Sequence, residues 1–389
     1  MKPKRIVVMG FMAGMPIAGV IWQHLHYIVG LQRLGHEVYY VEDSARTPYD
    51  PAGFTYTLDD SYAVQTLETL SRRFGFDGRW AFCPRYDDPS KSKGLPYERV
   101  QALYREADAV LNVCGSQELH EDVLTSDRLI YIESDPGVEQ ILVDKGDVGP
   151  REHLGHYRAL FTFGENVPTP NFPVHLNGLT WLATRQPVVI DFWKAPPPPA
   201  GAMFTSIANW NTGGSKDITW RGETYLWSKS LEFLKFIEAP RRCGEPFELA
   251  VGIEDADVRA RFKANDWRLV DPHGLSQGID DYRSYIQDSK AEFTAAKDQY
   301  VRLNTGWFSD RSACYLASGR PVITQDTGFG EHIRGEGGLF AFTTMAEVED
   351  AAAQINADYG FHSRAANEIA LEYFEATKVL ASMLERAGI

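Results

Sequence analysis

The chain alternates between short apolar runs and longer stretches in which apolar residues recur every three or four positions. The short runs end in glycine, proline or acidic residues and predict buried parallel strands, at residues 6–9, 37–41, 107–113, 128–133, 159–163, 203–207, 247–251, 267–270, 321–324 and 338–342. The longer stretches predict helices, at residues 20–34, 63–74, 227–236, 282–287, 312–317, 345–356 and 363–386. This alternation predicts an α/β fold built on parallel sheets.

Other segments have weaker patterns. Residues 44–100, rich in Pro, Asp, Tyr and Arg, are interpreted as an insertion with irregular parts. Residues 187–190 and 299–303 are interpreted as short strands, and residues 271–278 as a loop. The proline run at 196–199 is too stiff and too poor in donors for helix or sheet, and it predicts a domain boundary. Two domains also fit the length of 389 residues, since one domain typically has about 150.

The stretch 304–328 carries the strongest chemical signal. Ser309 is a predicted N-cap whose hydroxyl can accept from backbone N–H groups, and Gly319 ends the short helix that follows. Residues 326–330 then form a loop at the carboxyl end of a strand, where open α/β sheets bind ligands. A helix N-terminus beside Arg311 suits a diphosphate.

The Gly-Arg-Pro-Val sequence at 319–322, after a helix of small residues, resembles the donor-binding segment of nucleotide-sugar glycosyltransferases with the GT-B fold. The glycine-rich loop 10–19 resembles the opening of many such enzymes, and Gly-Trp-Phe-Ser-Asp-Arg-Ser-Ala at 306–313 resembles a bacterial branch of them. The resemblance implies two Rossmann-like domains with parallel sheets facing across a cleft. It implies an acceptor domain at residues 1–194, a donor domain at 195–361, and a final helix at 362–389 that packs back on the first domain.

The resemblance also implies a donor site. Ser309 and the N–H groups of its helix would hold the diphosphate, with Arg311 and Lys297 as cations. Strand-end loops would approach the sugar, the base and the phosphates. The candidate donor-binding residues are Gly14, Gly19, Asn209, Asn211, Gly213, Gly214, His273, Ser276, Lys297, Ser309, Asp310, Arg311, Gln325, Asp326, Thr327 and Gly328. Each also has a structural interpretation, as a helix cap, a turn or a solvated side chain.

Transfer to an acceptor requires a group that takes the acceptor's proton. Asp135 and Glu165 follow predicted strands and are candidate general bases, with helix capping or ion pairing as the alternatives. The chain has no Asp-x-Asp run, and its acidic pairs lack other ligand types nearby, so the sequence does not predict a metal site.

The residues that usually mark the stereochemical class of a GT-B enzyme are missing. Gly306 and Cys314 occupy the positions of the Glu-x7-Glu pair that retaining members often carry. Gly19 and Val20 lie where plant-type inverting members carry a catalytic histidine. The choice between retention and inversion therefore stays open.

Composition limits the partners. The net charge of −14 argues against nucleic acid or an anionic membrane surface, because a broad negative field repels phosphates. Four scattered cysteines without a Cys-x-x-Cys pair fit the reducing cytoplasm. The apolar run after the basic N-terminus is broken by Gly10, so a first strand is favoured over a signal peptide, and no run reaches the roughly 20 apolar residues of a membrane span. A monomer or homodimer is expected.

The sequence therefore predicts a cytoplasmic glycosyltransferase that uses a nucleoside-diphosphate sugar as co-substrate, without a cofactor or metal. A small molecule is one candidate acceptor, because the aromatic residues of the insertion could line an apolar pocket, namely Tyr49, Phe54, Tyr56 and Tyr62. A nucleotide-sugar epimerase of the same fold and a non-catalytic nucleotide-sugar binder are alternatives. A Rossmann oxidoreductase ranks third, because the glycine spacing is not Gly-x-Gly-x-x-Gly.

Overall fold

Two parallel sheets organise the chain in the computed structural model, which describes residues 2–211 and 213–389. The first half contains β1 (Arg5–Met9), β2 (Glu37–Ser44), β3 (Tyr49–Asp50), β4 (Thr55–Tyr56), β5 (Trp80–Pro84), β6 (Lys93–Gly94), β7 (Ala109–Val113), β8 (Leu129–Glu133), β9 (Ala159–Thr162) and β10 (Trp181–Ala183). The second half contains β11 (Phe204–Ile207), β12 (Ile218–Trp220), β13 (Glu223–Tyr225), β14 (Phe247–Ala250), β15 (Trp267–Val270), β16 (Ala291–Thr294), β17 (Val322–Gln325) and β18 (Leu339–Phe342).

The helices cover both faces of these sheets. They are α1 (Ala18–Arg33), α2 (Ser61–Phe74), α3 (Tyr97–Glu106), α4 (Val138–Asp144), α5 (Val148–Gly155), α6 (Ser230–Lys235), α7 (Ala239–Cys243), α8 (Ala256–Ala264), α9 (Pro272–Gln277), α10 (Ile279–Gln287), α11 (Asp298–Arg302), α12 (Asp310–Ala317), α13 (Met345–Ala357), α14 (Tyr359–Ile369) and α15 (Ala376–Arg386). Within the described residues, no helix combines the length and the apolar character needed to cross a bilayer.

The strand order places a crevice at the carboxyl ends of both sheets. The first sheet has the order β10-β9-β8-β7-β1-β2-β5-β6, and its strands pair in parallel apart from β5 with β6. Ile6 of β1 pairs with Val38 of β2 on one side and with Ala109 of β7 on the other. The strand order therefore reverses at β1, because the chain adds β2 and β5 on one side of it and the strands from β7 onward on the other. The second sheet is parallel, with the order β15-β14-β11-β16-β17-β18 and the same reversal at β11. The predicted α/β class is confirmed, and such reversals are where ligands bind.

The interpretation of residues 44–100 as an irregular insertion is wrong. Strand β5 pairs in parallel with β2, and all five of its residues are buried. Helix α2 from the same segment, and α3, which begins at its end, pack against β5. The run is short and ends in Pro84, so its apolar pattern alone did not distinguish it from a loop.

Residues 187–190 do not form the predicted strand, and residues 363–386 do not form a single helix. Val188 accepts from the N–H of Ala376 and donates to the carbonyl of Phe374, which gives one isolated bridge between Val188 and Glu375. Glu375 is extended there, so α14 and a π-helical turn end before it and α15 begins after it. One contact that is remote in sequence explains both wrong predictions.

Two further segments are helical where a loop and a strand were expected. In residues 271–278, Asp271 caps α9 by accepting from the N–H of His273, and Pro272 starts the helix. In residues 299–303, Tyr300 and Leu303 are three positions apart and both fully buried, which is helical spacing. A five-residue helix is too short for that spacing to be decisive in the sequence.

The hairpin of β12 and β13 connects the two halves. It belongs to the second half of the chain, yet its side chains are buried in the core beneath the first sheet. The indole of Trp220 donates to Asp144 of α4 at 2.7 Å. The hairpin therefore ties the loop after β11 to the first sheet's helical layer.

Helix α15 packs on α1, and Gly30 lies at the contact. A Cβ added to Gly30 would come within 2.5 Å of Leu380 Cδ1 and 2.9 Å of Ala376 Cβ. These distances are shorter than van der Waals contact, so only glycine lets α15 lie this close. The last helix of the chain thereby lies against the first sheet's half of the molecule.

We expect Gly30→Ala to lower the free energy of unfolding by about 1–2 kcal/mol. The helix propensity of alanine would stabilise α1 by up to about 1 kcal/mol, but overpacking costs roughly 1–3 kcal/mol. Gly155→Ala in α5 is the matched control, because a Cβ there meets no heavy atom within 4 Å. Denaturant unfolding of both variants checks the prediction, which fails if Gly30→Ala is as stable as the control.

Candidate functional site

A cleft of about 380 Å³ lies between the carboxyl edges of the two sheets. Its first-half wall contains Gly19, the end of the glycine-rich loop and the Tyr49 hairpin, and its second-half wall contains the loops after β11, β14 and β15. The structure brings several predicted donor-binding residues to this cleft, namely Gly19, Asn209, His273, Ser276 and Arg311. Residues far apart in sequence thus share one cavity.

Asp135 and Lys297 meet across this interface in an ion pair. The Lys297 ammonium lies 2.5 Å from Asp135 Oδ1 and 3.5 Å from the centroid of the Trp227 ring. The Tyr300 hydroxyl also donates to Asp135. Burial tends to raise the pKa of Asp135, but the Lys297 and Lys216 ammonium groups outweigh it and lower the pKa to about 2. Asp135 is therefore an anion that neutralises Lys297, and it cannot accept a proton while that pair is intact.

Arg311 lines the cleft, but the fold already uses much of its guanidinium. Its Nε donates to Glu292 at 2.6 Å, and its two terminal nitrogens donate to the Ile207 carbonyl at 2.5 Å and to the Thr294 hydroxyl at 2.8 Å. Burial opposes the charge of Arg311, but the Glu292 carboxylate reverses that effect and raises the pKa. Since the Glu292 side chain is 0% exposed, Arg311 is first a structural counterion.

Lys229 is a buried basic residue that the sequence analysis missed. The residue is 8% exposed and immediately precedes α6. Its Nζ lies 5.7 Å from the Trp307 ring centroid. It forms no ion pair with a carboxylate of the described residues, but Glu292 and Asp310 are near enough to favour its charged form. Burial, and then the charge of Arg311, lower its pKa well below the usual value. The predicted helix began at residue 227 and so included Lys229. The sequence analysis therefore did not recognise it as a lysine at the end of a loop.

Ser309 and Asp310 begin α12, as the sequence predicted. Ser309 is the N-cap residue and is buried, but its hydroxyl makes no capping hydrogen bond. Asp310 places a carboxyl group in the first turn of α12. Burial raises the pKa of Asp310, Arg311 counteracts this, and Asp135 adds to it. The helix N-terminus therefore already holds an anion from its own chain.

Glu165, the second candidate base, is held in a bidentate ion pair. Arg185 donates to its two oxygens at 2.6 and 2.9 Å, and the same guanidinium donates to the His332 carbonyl. The adjacent Asn166 donates to the Asn304 carbonyl at 3.0 Å. This region joins the two halves, so a structural role for Glu165 accounts for all these contacts.

The loop after β17 builds the wall of the interface rather than presenting polar groups to the cleft. The Gln325 amide donates to Glu232 at 2.6 Å and accepts from the Ala296 N–H. Thr327 donates to the Trp307 carbonyl, and Asp326 accepts from the Gly328 N–H in a local turn. These hydrogen bonds engage polar groups that the sequence analysis included among the candidate donor-binding residues.

The remaining candidates divide between the cleft and local turns. The Gly14 N–H donates to Glu42 at 2.8 Å, so it is used within its own loop. Asn211 accepts from the Gly213 N–H in a turn, with Gly214 next in the chain, and the intervening Thr212 lies outside the described residues. His273 makes an edge contact with Phe54, with centroids 4.7 Å apart, at the cleft rim.

Comparison with known proteins supports the fold. No family model matches the chain, and no curated protein matches it significantly. Among solved structures, an alpha-glucosyltransferase in complex with UDP and a 13-mer DNA superposes over 100% of both chains, with 12% identity and a TM-score of 0.59. AviGT4, a glycosyltransferase involved in Avilamycin A biosynthesis, matches over 99% of this chain and 97% of its own, with 13% identity and a TM-score of 0.53.

A third similar structure is Anabaena Alr3699/HepE in complex with UDP-glucose, with 99% of each chain covered, 12% identity and a TM-score of 0.53. These likenesses extend over both sheets and the cleft between them. The chain therefore has the GT-B fold, as the sequence resemblance implied.

We expect Arg311→Met to lower the free energy of unfolding by roughly 3–5 kcal/mol, because it leaves the Glu292 carboxylate buried without its cation. The double variant Arg311→Met with Glu292→Met removes both charges and should recover most of that loss. Denaturant titration of both variants measures the difference. Equal destabilisation of the single and double variants would contradict a structural ion pair.

Proposed function

We propose that the protein is a glycosyltransferase that moves a sugar from a nucleoside-diphosphate donor to an acceptor bound by the first half of the chain. The observation that carries this proposal is the buried side chain of Lys229, which lies near Lys297 and Arg311 and forms no ion pair with a carboxylate of the described residues. Burial disfavours the charged form of this amine, and a diphosphate bound beside it would favour that form. Similar structures contain UDP or UDP-glucose, which supports a uridine diphosphate donor.

The proposed reaction is a displacement at the anomeric carbon of the sugar. The bond from that carbon to the diphosphate oxygen breaks and its electron pair leaves with the nucleotide, while a bond to the acceptor oxygen forms. Lys229 and Lys297 would stabilise the leaving charge, and together they supply the two positive charges that a divalent ion would otherwise bring. The acceptor proton passes to a carboxylate, for which Asp310 is suited because its pKa is raised by burial.

Asp135 affects this reaction through its ion pair with Lys297. When a diphosphate binds, it competes with the Asp135 carboxylate for the same ammonium. Asp135 would then lose its cation and become able to accept a proton or a hydrogen bond from a sugar hydroxyl. Donor binding would therefore precede any catalytic role of this residue.

The acceptor and the compartment are inferred from charge and cysteine chemistry. One similar structure holds DNA, but this chain carries a net charge of −14, which disfavours a polyanionic acceptor. All four cysteines are unbridged, as in a reducing cytoplasm. We therefore infer a small uncharged or weakly charged acceptor in the cytoplasm.

A non-catalytic nucleotide-sugar binder is a second candidate. Both carboxylates that the sequence suggested as bases are engaged in ion pairs, Glu165 on two oxygens and Asp135 with Lys297. UDP-glucose incubated with the protein and a broad panel of acceptors separates the two candidates. Released UDP with a glycosylated product supports the transferase, and tight binding without turnover supports the binder.

We expect Lys229→Met to weaken UDP binding by about tenfold or more, because one charge-assisted contact is worth about 1.5–3 kcal/mol. The unliganded variant should be at least as stable as the wild type, since an apolar side chain of similar length replaces a buried amine that forms no ion pair. Isothermal titration with UDP measures the affinity. Lys263→Met, on the exposed face of α8, is the control and should bind normally. Undiminished UDP affinity in Lys229→Met would refute the diphosphate site.

The same titration has an expected pH dependence. The pKa of Lys229 is lowered in the unliganded protein, and a bound diphosphate would raise it. UDP binding should then take up a proton, so affinity falls as pH rises from the pKa of Lys229 in the unliganded protein to its higher pKa in the complex, by at most about tenfold per pH unit. The slope should be smaller in Lys229→Met than in the wild type.

We expect Asp135→Asn to strengthen UDP binding by roughly three- to tenfold while slowing transfer, because it removes the anion that competes for Lys297. Asp127→Asn is the matched control, since that carboxylate is 89% exposed. Titration with UDP and an initial-rate assay of UDP release check the two effects. Weaker UDP binding in Asp135→Asn would show that Asp135 supports the donor site instead of competing with the donor.

A further inference from the structure

A second cavity, of about 140 Å³, lies on the other side of the glycine-rich loop from the cleft. It sits at the carboxyl ends of the central strands of the first sheet. Its walls are largely apolar and aromatic, with Phe11, Met15, Tyr56 and Phe82 among them. None of the candidate donor residues with a side chain lines it, so it is distinct from the charged cluster.

The volume defines the size of the ligand. An apolar cavity of about 150 Å³ in another protein holds one benzene molecule. A cavity of 140 Å³ therefore has room for a single six-membered ring. A flat ring would contact the faces and edges of Phe11, Tyr56 and Phe82, which is a favourable arrangement for aromatic groups.

Two polar groups in the wall lack a full set of partners. Ser116 is 5% exposed, and its hydroxyl has no hydrogen-bond partner in the part of the chain that the structure describes. Glu42 accepts from the Ala13 N–H and the Tyr40 hydroxyl on Oε1, but only from the Gly14 N–H on Oε2. A buried hydroxyl without a partner is costly. Both groups therefore favour a ligand with a polar substituent on its ring.

The cavity and the cleft share their walls. Tyr56 lines the cavity, Tyr49 lines the cleft, and the two rings lie 5.5 Å apart in one small hairpin. The Tyr49 N–H donates to the Gly14 carbonyl at 2.9 Å, which fixes this hairpin to the glycine-rich loop. A ring in the cavity would thus lie beside the path to the cleft.

We propose that this cavity is an acceptor site for a compound with one aromatic ring that carries a hydroxyl group. The assignment as an acceptor site rests on the proposed transferase function. A pyranose ring has similar size, but the aromatic side chains of Phe11, Tyr56 and Phe82 in the wall favour a flat aromatic ring. A phenol satisfies the wall with one or two polar contacts.

Binding of phenol, measured by ligand-observed NMR in the presence and absence of UDP, tests the proposal on the full chain. Wild-type protein should bind phenol. Ser116→Ala should weaken phenol binding by about three- to tenfold. It should not destabilise the unliganded protein, because the hydroxyl that it removes lacks a hydrogen-bond partner there. Ser116→Met should abolish phenol binding by filling the cavity, and UDP affinity should be unchanged in both variants.

Thr47→Met provides a second filling variant at the half-buried rim, in case Ser116→Met does not fold. The inference is overturned if wild-type protein binds UDP but not phenol, if phenol binds equally well to both filling variants, or if methyl glucoside binds in the cavity in place of phenol. Failure of UDP binding in the wild-type protein would instead refute the proposed function, whatever phenol does.

Discussion

Positive charge held out of water between two sheets is the constraint on which this structure depends. Lys229, Lys297 and Arg311 come from three separate elements of the second half, Lys229 interacts electrostatically with the other two, and Arg311 lines the cleft. Arg311 is neutralised from within by Glu292, and Lys297 is neutralised from the opposite half by Asp135. Lys229 forms no such ion pair in the described part of the chain, and the proposed diphosphate would supply the missing negative charge.

The parallel sheets create this arrangement. In each sheet the strand order reverses beside the first strand, which opens a crevice at the carboxyl edge. The segments between β8 and α4 and between β16 and α11 are short, so the side chains they carry are positioned by the sheets. Asp135 follows β8 of the first sheet and Lys297 follows β16 of the second sheet. Their ion pair therefore forms a direct contact between the carboxyl edges of the two sheets.

The sequence predicted the α/β class, most strands and the stretch at 304–328, because these depend on local periodicity and turn chemistry. The partners of polar residues were not predictable in that way. Glu165 and Arg185 are 20 positions apart, and Gln325 and Glu232 are 93 apart, and nothing in either residue type indicates the pairing. Lys229 was missed because the local pattern of residues 227–236 predicted a helix that included it, whereas α6 begins at Ser230.

The hairpin of β12 and β13 has a consequence for the autonomy of the two halves. Ile218, Trp220 and Tyr225 are needed to complete a core whose other members come before residue 182 or from α11. Helix α15, at the end of the chain, covers α1 near its beginning. A fragment cut at the proline run would expose apolar surface at both places, so neither piece is a self-sufficient folding unit. The ribosome must therefore synthesise the chain through α15 before the first sheet acquires its final cover.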